Sequence, residues 1–180
     1  MKRVIILAGH NFEKSGCSTQ MEDGERITEF DLTTELVARV FKEERLINLD
    51  TVIKARNDFA DLVKEVNEIP ADYLISCHFN AYNGETQGTE VLYAHTSSKG
   101  EKLAKKAQTI LIKNLGLNDR GIKGVSPSER GGSILNKTKP IAILIEPFFL
   151  DEIHSYERLN ALMDKTIESI LEILVYIANQ

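Results

Sequence analysis

Cysteine is scarce: the chain of 180 residues has two, Cys17 and Cys77. Two thiols cannot build a disulfide framework, and there is no CxxC pattern for a thiolate metal site. Both thiols are compatible with a reducing cytoplasm. Long apolar runs are also missing. None approaches the ~18 residues needed to span a bilayer, so no stable membrane anchoring is expected. The opening MKRVIILAGH is apolar only briefly, ends in Gly-His and lacks a small-residue cleavage site. It reads as a first buried strand rather than an export signal. Positive charge is in deficit. A net charge of −5 argues against a general nucleic-acid surface. Short basic groups such as Lys105-Lys106 have acids nearby in sequence, as solvated helix faces do. No internal repeat, low-complexity tract or linker divides the chain, so residues 1–180 are expected to form one domain. A chain of this length buries roughly 70% of its unfolded surface, enough for a substantial core.

The apolar pattern predicts strands at 3–9, 51–55, 72–79, 89–94 and 141–146. Helical spacing covers 28–46, with Leu32, Leu36, Val40 and Phe41 on one stripe and Thr28 and Asp31 as an N-cap pair. It covers 57–68, with Phe59, Leu62, Val63 and Val66 on one face before Pro70, and also 98–115 and 155–178. Residues 10–27 and 80–88 read as loops. Residues 120–137 read as loop-rich, with a short strand at 120–125. Strands alternating with helices give an α/β fold. Its central sheet is expected to be mostly parallel or mixed, with helices on both faces.

Four residues stand out against this frame. His10 ends the run VIILAGH, His78 ends DYLISCH and Glu146 ends AILIE. In open α/β sheets, ligands bind in the crevice outside the carboxyl ends of the strands. Glu29 precedes Leu32 by three residues and Leu36 by seven, so it faces the core, where a carboxylate is costly unless paired or bound to metal. Two imidazoles and a carboxylate with an open position form a common zinc hydrolase ligand set. Each residue also has a plainer reading. Glu29 could simply complement the helix dipole. Glu146, held extended by Pro147, could form a buried ion pair with Arg56 or Arg130. His95 and His154 read as surface residues. Cys77 beside His78 suggests a thiol nucleophile, but adjacent strand residues point to opposite faces, so a small buried residue is the better reading.

These residues, in this order, resemble the zinc-dependent N-acetylmuramoyl-L-alanine amidases of the Amidase_3 type. The resemblance runs through ILAGH, TEFDLTTELV, ADYLISCHFNAYNG, GTEVLYA, RGIK and ILNKTKPIAILIEPFF, and so covers nearly the whole chain. It implies that His10, Glu29 and His78 bind Zn²⁺ and that Glu146 is catalytic. Asn80, Arg130 and the 126–137 loop are candidates for substrate contact. The implied partner is bacterial peptidoglycan. The start LAGHNF departs from the family's common DPGHGG-like start. GHNFEKSGC and EPFF look more like phage endolysins than housekeeping cell-separation amidases.

The expectation is therefore a catalytic amidase domain without a separate wall-binding domain. It would be cytoplasmic until the membrane is breached and then act at the cell wall, with functional dependence on a holin. Alternatives are a mother-cell lytic amidase of sporulation, another zinc amidohydrolase or carboxypeptidase, and a wall-binding module without catalysis. Glu146 argues against the last, because glycan binding needs no general base.

Overall fold

The computed structural model describes residues 1–42, 49–54 and 59–180. A six-stranded sheet forms its centre, built from β1 (Lys2–Ala8), β4 (Leu49–Lys54), β5 (Tyr73–Cys77), β6 (Thr89–Ala94), β7 (Asp119–Val125) and β8 (Ile141–Glu146). The order across the sheet is β4-β1-β5-β8-β6-β7. β4, β1, β5 and β8 run parallel, whereas β6 is antiparallel to β8 and parallel to β7. The expected α/β class with a mixed sheet is therefore observed. After β1 the chain forms β4 on one side and then returns to form β5 on the other. The ends of β1 and β5 thus flank a topological switch point, where α/β sheets bind ligands.

The apolar strands divide their side chains between two cores, as a period of two requires. Ile143 and Ile145 of β8 join Val4, Ile6, Ile75 and Cys77 in the larger core. That core is covered by α1 (Glu29–Phe41), α3 (Ser98–Leu115) and α5 (Tyr156–Ala178). Ala142 and Leu144 point the other way, with Ile5, Leu7 and Leu74. They pack against α2 (Phe59–Glu68) and α4 (Gly132–Lys137). Helices therefore cover both faces, and even positions of β8 share the α2–α4 side with Glu146.

Two local expectations need correction. The segment 10–27 is not all loop: β2 (Ser18–Gln20) and β3 (Arg26–Thr28) form an antiparallel hairpin. Three-residue strands are too short to display alternation. The strand expected at 120–125 is observed as β7, one residue longer, and the loop-rich remainder to 137 holds the six-residue α4. Helix α1 closes at Lys42, and the expected helical residues 43–46 lie outside the described residues. So do residues 55, 57 and 58, Arg56 and the side chain of Phe59. The N-cap pair forms as expected. Asp31 N–H donates to the Thr28 hydroxyl, while the Asp31 carboxylate accepts from Thr28 N–H. This reciprocal cap fixes the first turn, and with it Glu29.

Candidate metal centre

Glu29 opens α1 and is 1% exposed, at the core-facing position that its spacing predicts. Its carboxylate is the hub of the site. Oε2 meets His10 Nε2 at 3.1 Å, and Oε1 meets His78 Nδ1 at 2.9 Å. Backbone N–H groups of Cys17 and Phe79 donate to the same two oxygens at 3.1 and 3.0 Å. Burial opposes ionisation of Glu29, but hydrogen bonds from His10 and His78 outweigh it and hold the carboxyl far below its usual range. Burial lowers the His78 imidazole from its ordinary value, against the raising effect of Glu29.

The two rings arrive from adjacent strands and meet edge to face, with centroids 5.1 Å apart. His10 has φ 65°, a left-handed conformation that a non-glycine residue adopts at some cost. The preceding Gly9 supplies space, since a Cβ there would lie 2.6 Å from the Cys77 carbonyl oxygen and from His78 Cε1. The Thr33 hydroxyl donates to the Gly9 carbonyl at 2.9 Å and anchors the peptide that carries His10. Gly16 combines both roles. Its φ is 78°, and a Cβ would press on the Glu29 carboxylate and lie 2.9 Å from His10 Cδ2.

The donor atoms of His10, Glu29 and His78 lie within 4.8 Å of one another. Their chemistry fits a metal ion. His10 Nδ1 lies 3.2 Å from the Lys14 carbonyl. In the tautomer with Nδ1 donating there, the Nε2 lone pair would face a carboxylate oxygen, a contact that a cation between the two makes attractive. Fixing the outer ring nitrogen by a carbonyl is also how metal-binding histidines are oriented. Two imidazole nitrogens and a carboxylate suit zinc.

Glu146 sits at the end of β8, beside β5, and His78 N–H donates to the Ile145 carbonyl. It is 1% exposed. Oε1 pairs with Arg130 Nη2 at 2.9 Å, while Oε2 is buried without a hydrogen-bond partner. Burial pushes the Glu146 carboxyl up to about 8, against the opposing pull of Arg130 and with a further push from the Glu29 charge. The ion pair with Arg130 considered from the sequence is therefore present, and it uses one of the two oxygens.

Asn80 is buried, with its amide between Arg130 and Glu90, whereas Arg130 is exposed. Arg130 also lines a cavity of about 360 Å³ that reaches His10 and His78 and is walled by Leu7, Leu62 and Leu144. His95 and His154 are exposed and stand apart from the donor cluster. Cys77 is fully buried in the larger core, and burial pushes its thiol up to about 12, so it is inert. Cys17 is also a free thiol, held up by burial and by the Glu29 charge.

Glu90 is not among the residues the sequence singles out. Ligand sites are expected at the carboxyl ends of strands, but β6 runs in the opposite direction and brings an early residue to the same crevice. The available signal was a lone carboxylate inside the apolar run TEVLYA. Burial opposes the charge of Glu90, but Lys123 and Arg120 outweigh it and hold the carboxyl below its usual range.

A mixed α/β sheet with a His-Glu-His donor cluster and an acid at its switch point defines a candidate metallohydrolase. The chain belongs to the N-acetylmuramoyl-L-alanine amidase family Amidase_3, whose model matches residues 4–174. It is 27% identical over 154 residues to N-acetylmuramoyl-L-alanine amidase LytC of Bacillus subtilis (strain 168), a match covering 82% of this chain. The match spans 29% of the length of that relative. An N-acetylmuramoyl-L-alanine amidase from Clostridium difficile 630 superposes with a TM-score of 0.76 at 21% identity, covering 99% of this chain and 97% of the other. The catalytic domain of an endolysin targeting Clostridia difficile gives 0.70 at 23% identity, covering 97% and 95%. These two likenesses carry the fold.

Proposed function

We propose that this chain is a zinc-dependent N-acetylmuramoyl-L-alanine amidase. It would hydrolyse the amide between the lactyl group of N-acetylmuramic acid and L-alanine in peptidoglycan. The observation that carries the reading is the buried Glu29 carboxylate contacting both His10 and His78, with Glu146 ending the next strand. His10, Glu29 and His78 would hold the metal. Zn²⁺ bound there would supply Lewis acidity, which acidifies water and polarises an amide carbonyl.

The remaining work belongs to the chain. Arg130 holds Glu146 Oε1 and leaves Oε2 free to take a proton from the attacking water. Glu146 then delivers that proton to the departing L-alanine nitrogen. Burial raises the carboxyl from its ordinary value, which helps it hold the proton between the two transfers. Arg130, at the cavity wall, would contact substrate; buried Asn80 reaches the cavity through Arg130.

Mass spectrometry of digested peptidoglycan tests this reading. Free stem peptides beginning with L-alanine are expected, and they should vanish with a chelator. Cleavage of glycan or peptide cross-links instead would refute it. Within the family we read the chain as a phage or prophage endolysin, on the GHNFEKSGC and EPFF segments. Co-expression with a holin should then lyse the host, while expression alone should not. Lysis without membrane breach would refute the endolysin reading and leave the amidase reading standing.

A further inference from the structure

Resting on the role proposed for Glu146, we propose that Glu90 is a positioning residue. Its carboxylate fixes the Asn80 amide so that Oδ1 faces Arg130, and Arg130 in turn holds Glu146. Glu90 and Glu146 are register partners across the antiparallel β6–β8 pair. Side chains at such positions share a face, and like charges there repel. Here a relay separates them. Glu90 Oε2 accepts from Arg120 Nε at 2.8 Å and from Lys123 Nζ at 2.6 Å. Glu90 Oε1 accepts from Asn80 Nδ2 at 3.0 Å. Asn80 Oδ1 accepts from Arg130 Nη1 at 2.9 Å, and Arg130 Nη2 reaches Glu146 Oε1.

The orientation of the central amide follows from its neighbours. An ionised carboxylate only accepts, and a guanidinium only donates. Asn80 must therefore turn its NH₂ toward Glu90 and its oxygen toward Arg130. Ala81 N–H donates to the same oxygen at 3.0 Å, so three neighbours select one orientation. The Arg130 side chain is 59% exposed, so little packing restrains it. Its fixed contacts at the buried end are Asn80 and Glu146. A glutamine at position 90 can donate as well as accept and leaves Arg120 and Lys123 without their carboxylate, so only Ala81 and Arg130 still select the amide orientation. The Asn80 anchor of the guanidinium is then looser, and Glu146 is held less firmly.

Muropeptide hydrolysis by zinc-loaded protein tests the relay, using Glu90→Gln, Asn80→Ala, their double variant and Glu146→Gln. Glu90→Gln should keep its zinc and its fold, with a lower melting temperature because Arg120 and Lys123 lose their carboxylate partner. Its kcat should fall by about 10²-fold, the scale for a misplaced reacting group, a larger effect than any change in KM from the loosened Arg130. The double variant should be no slower than Asn80→Ala, because both changes break one relay. Native kcat in Glu90→Gln, losses that multiply, or a change confined to KM would each overturn the proposal. Should Glu90→Gln fold poorly, Asn80→Ala leaves Glu90 with Arg120 and Lys123, and its kcat must then fall similarly; native kcat there overturns the relay. Native turnover in Glu146→Gln would overturn the Glu146 role and this inference together. An inactive Glu146→Gln with a native Glu90→Gln would overturn this inference alone.

Discussion

Replacing Gly16 by alanine should damage the proposed metal centre without substituting a ligand, and Gly24→Ala is its control. Both glycines have left-handed φ, 78° and 87°. An alanine in that conformation costs roughly 1–2 kcal/mol in either place. Their surroundings differ. A Cβ at Gly24 meets nothing within 4 Å. At Gly16 it would lie 2.9 Å from both Glu29 Cβ and His10 Cδ2 and would press on the Glu29 carboxylate. Carbon contacts relax to about 3.5–4.0 Å, so Glu29 and His10 must give way by more than the ~0.5 Å that a preorganised site tolerates. Overpacking of this kind adds about 1–3 kcal/mol. Zinc affinity should fall by about 10–100-fold, the range seen when the support of a ligand is removed. Urea unfolding measures the first quantity, and competition with a chromophoric chelator measures the second. Gly24→Ala should bind zinc as the native chain does. Equal zinc affinity in the two variants would refute the reasoning.

Glu146→Gln should retain zinc while turnover of muropeptides falls by roughly 10²–10⁴-fold, the scale of general acid–base catalysis; zinc loss in this variant would make Glu146 a ligand instead. The same substitution should alter the pH dependence of stability in metal-free protein. The Glu146 carboxyl is raised from 4.5 to about 8, so between those values the folded state holds a proton that the unfolded chain has released. That contribution is full below pH ~4.5 and lost as pH rises toward ~8, amounting to on the order of 5 kcal/mol. Urea midpoints of native protein should therefore fall relative to Glu146→Gln across this window, and a constant difference would contradict the assignment. Thr28→Ala removes the hydroxyl half of the α1 capping box and should cost about 1 kcal/mol in urea unfolding; an unchanged midpoint would show that the cap adds nothing.

The legible parts of the fold were those with a strong period. β8 and its terminal Glu146 could be read because an uninterrupted apolar run ended in a charge before proline. Glu29 could be read because three- and seven-residue spacing put it on the stripe of Leu32 and Leu36. Direction was not legible. β6 has the composition of its neighbours, so neither its antiparallel course nor the place of Glu90 beside Glu146 has a mark in the sequence. The β2–β3 hairpin and α4 were hidden by their brevity. Gly9 illustrates a subtler gap. The pair Gly-His does not show which residue turns: the left-handed conformation falls to His10, and Gly9 is required by the close approach of β5. The Arg130–Asn80–Glu90 relay joins residues from three separate segments, and only the folded chain brings them together.

Anomalous scattering at the zinc edge, from crystals of zinc-loaded protein, tests the central claim most directly. The account predicts one strong peak about 2.0–2.2 Å from His10 Nε2, His78 Nδ1 and a Glu29 oxygen. No peak at these three residues, or zinc held elsewhere while the enzyme remains active, would contradict it.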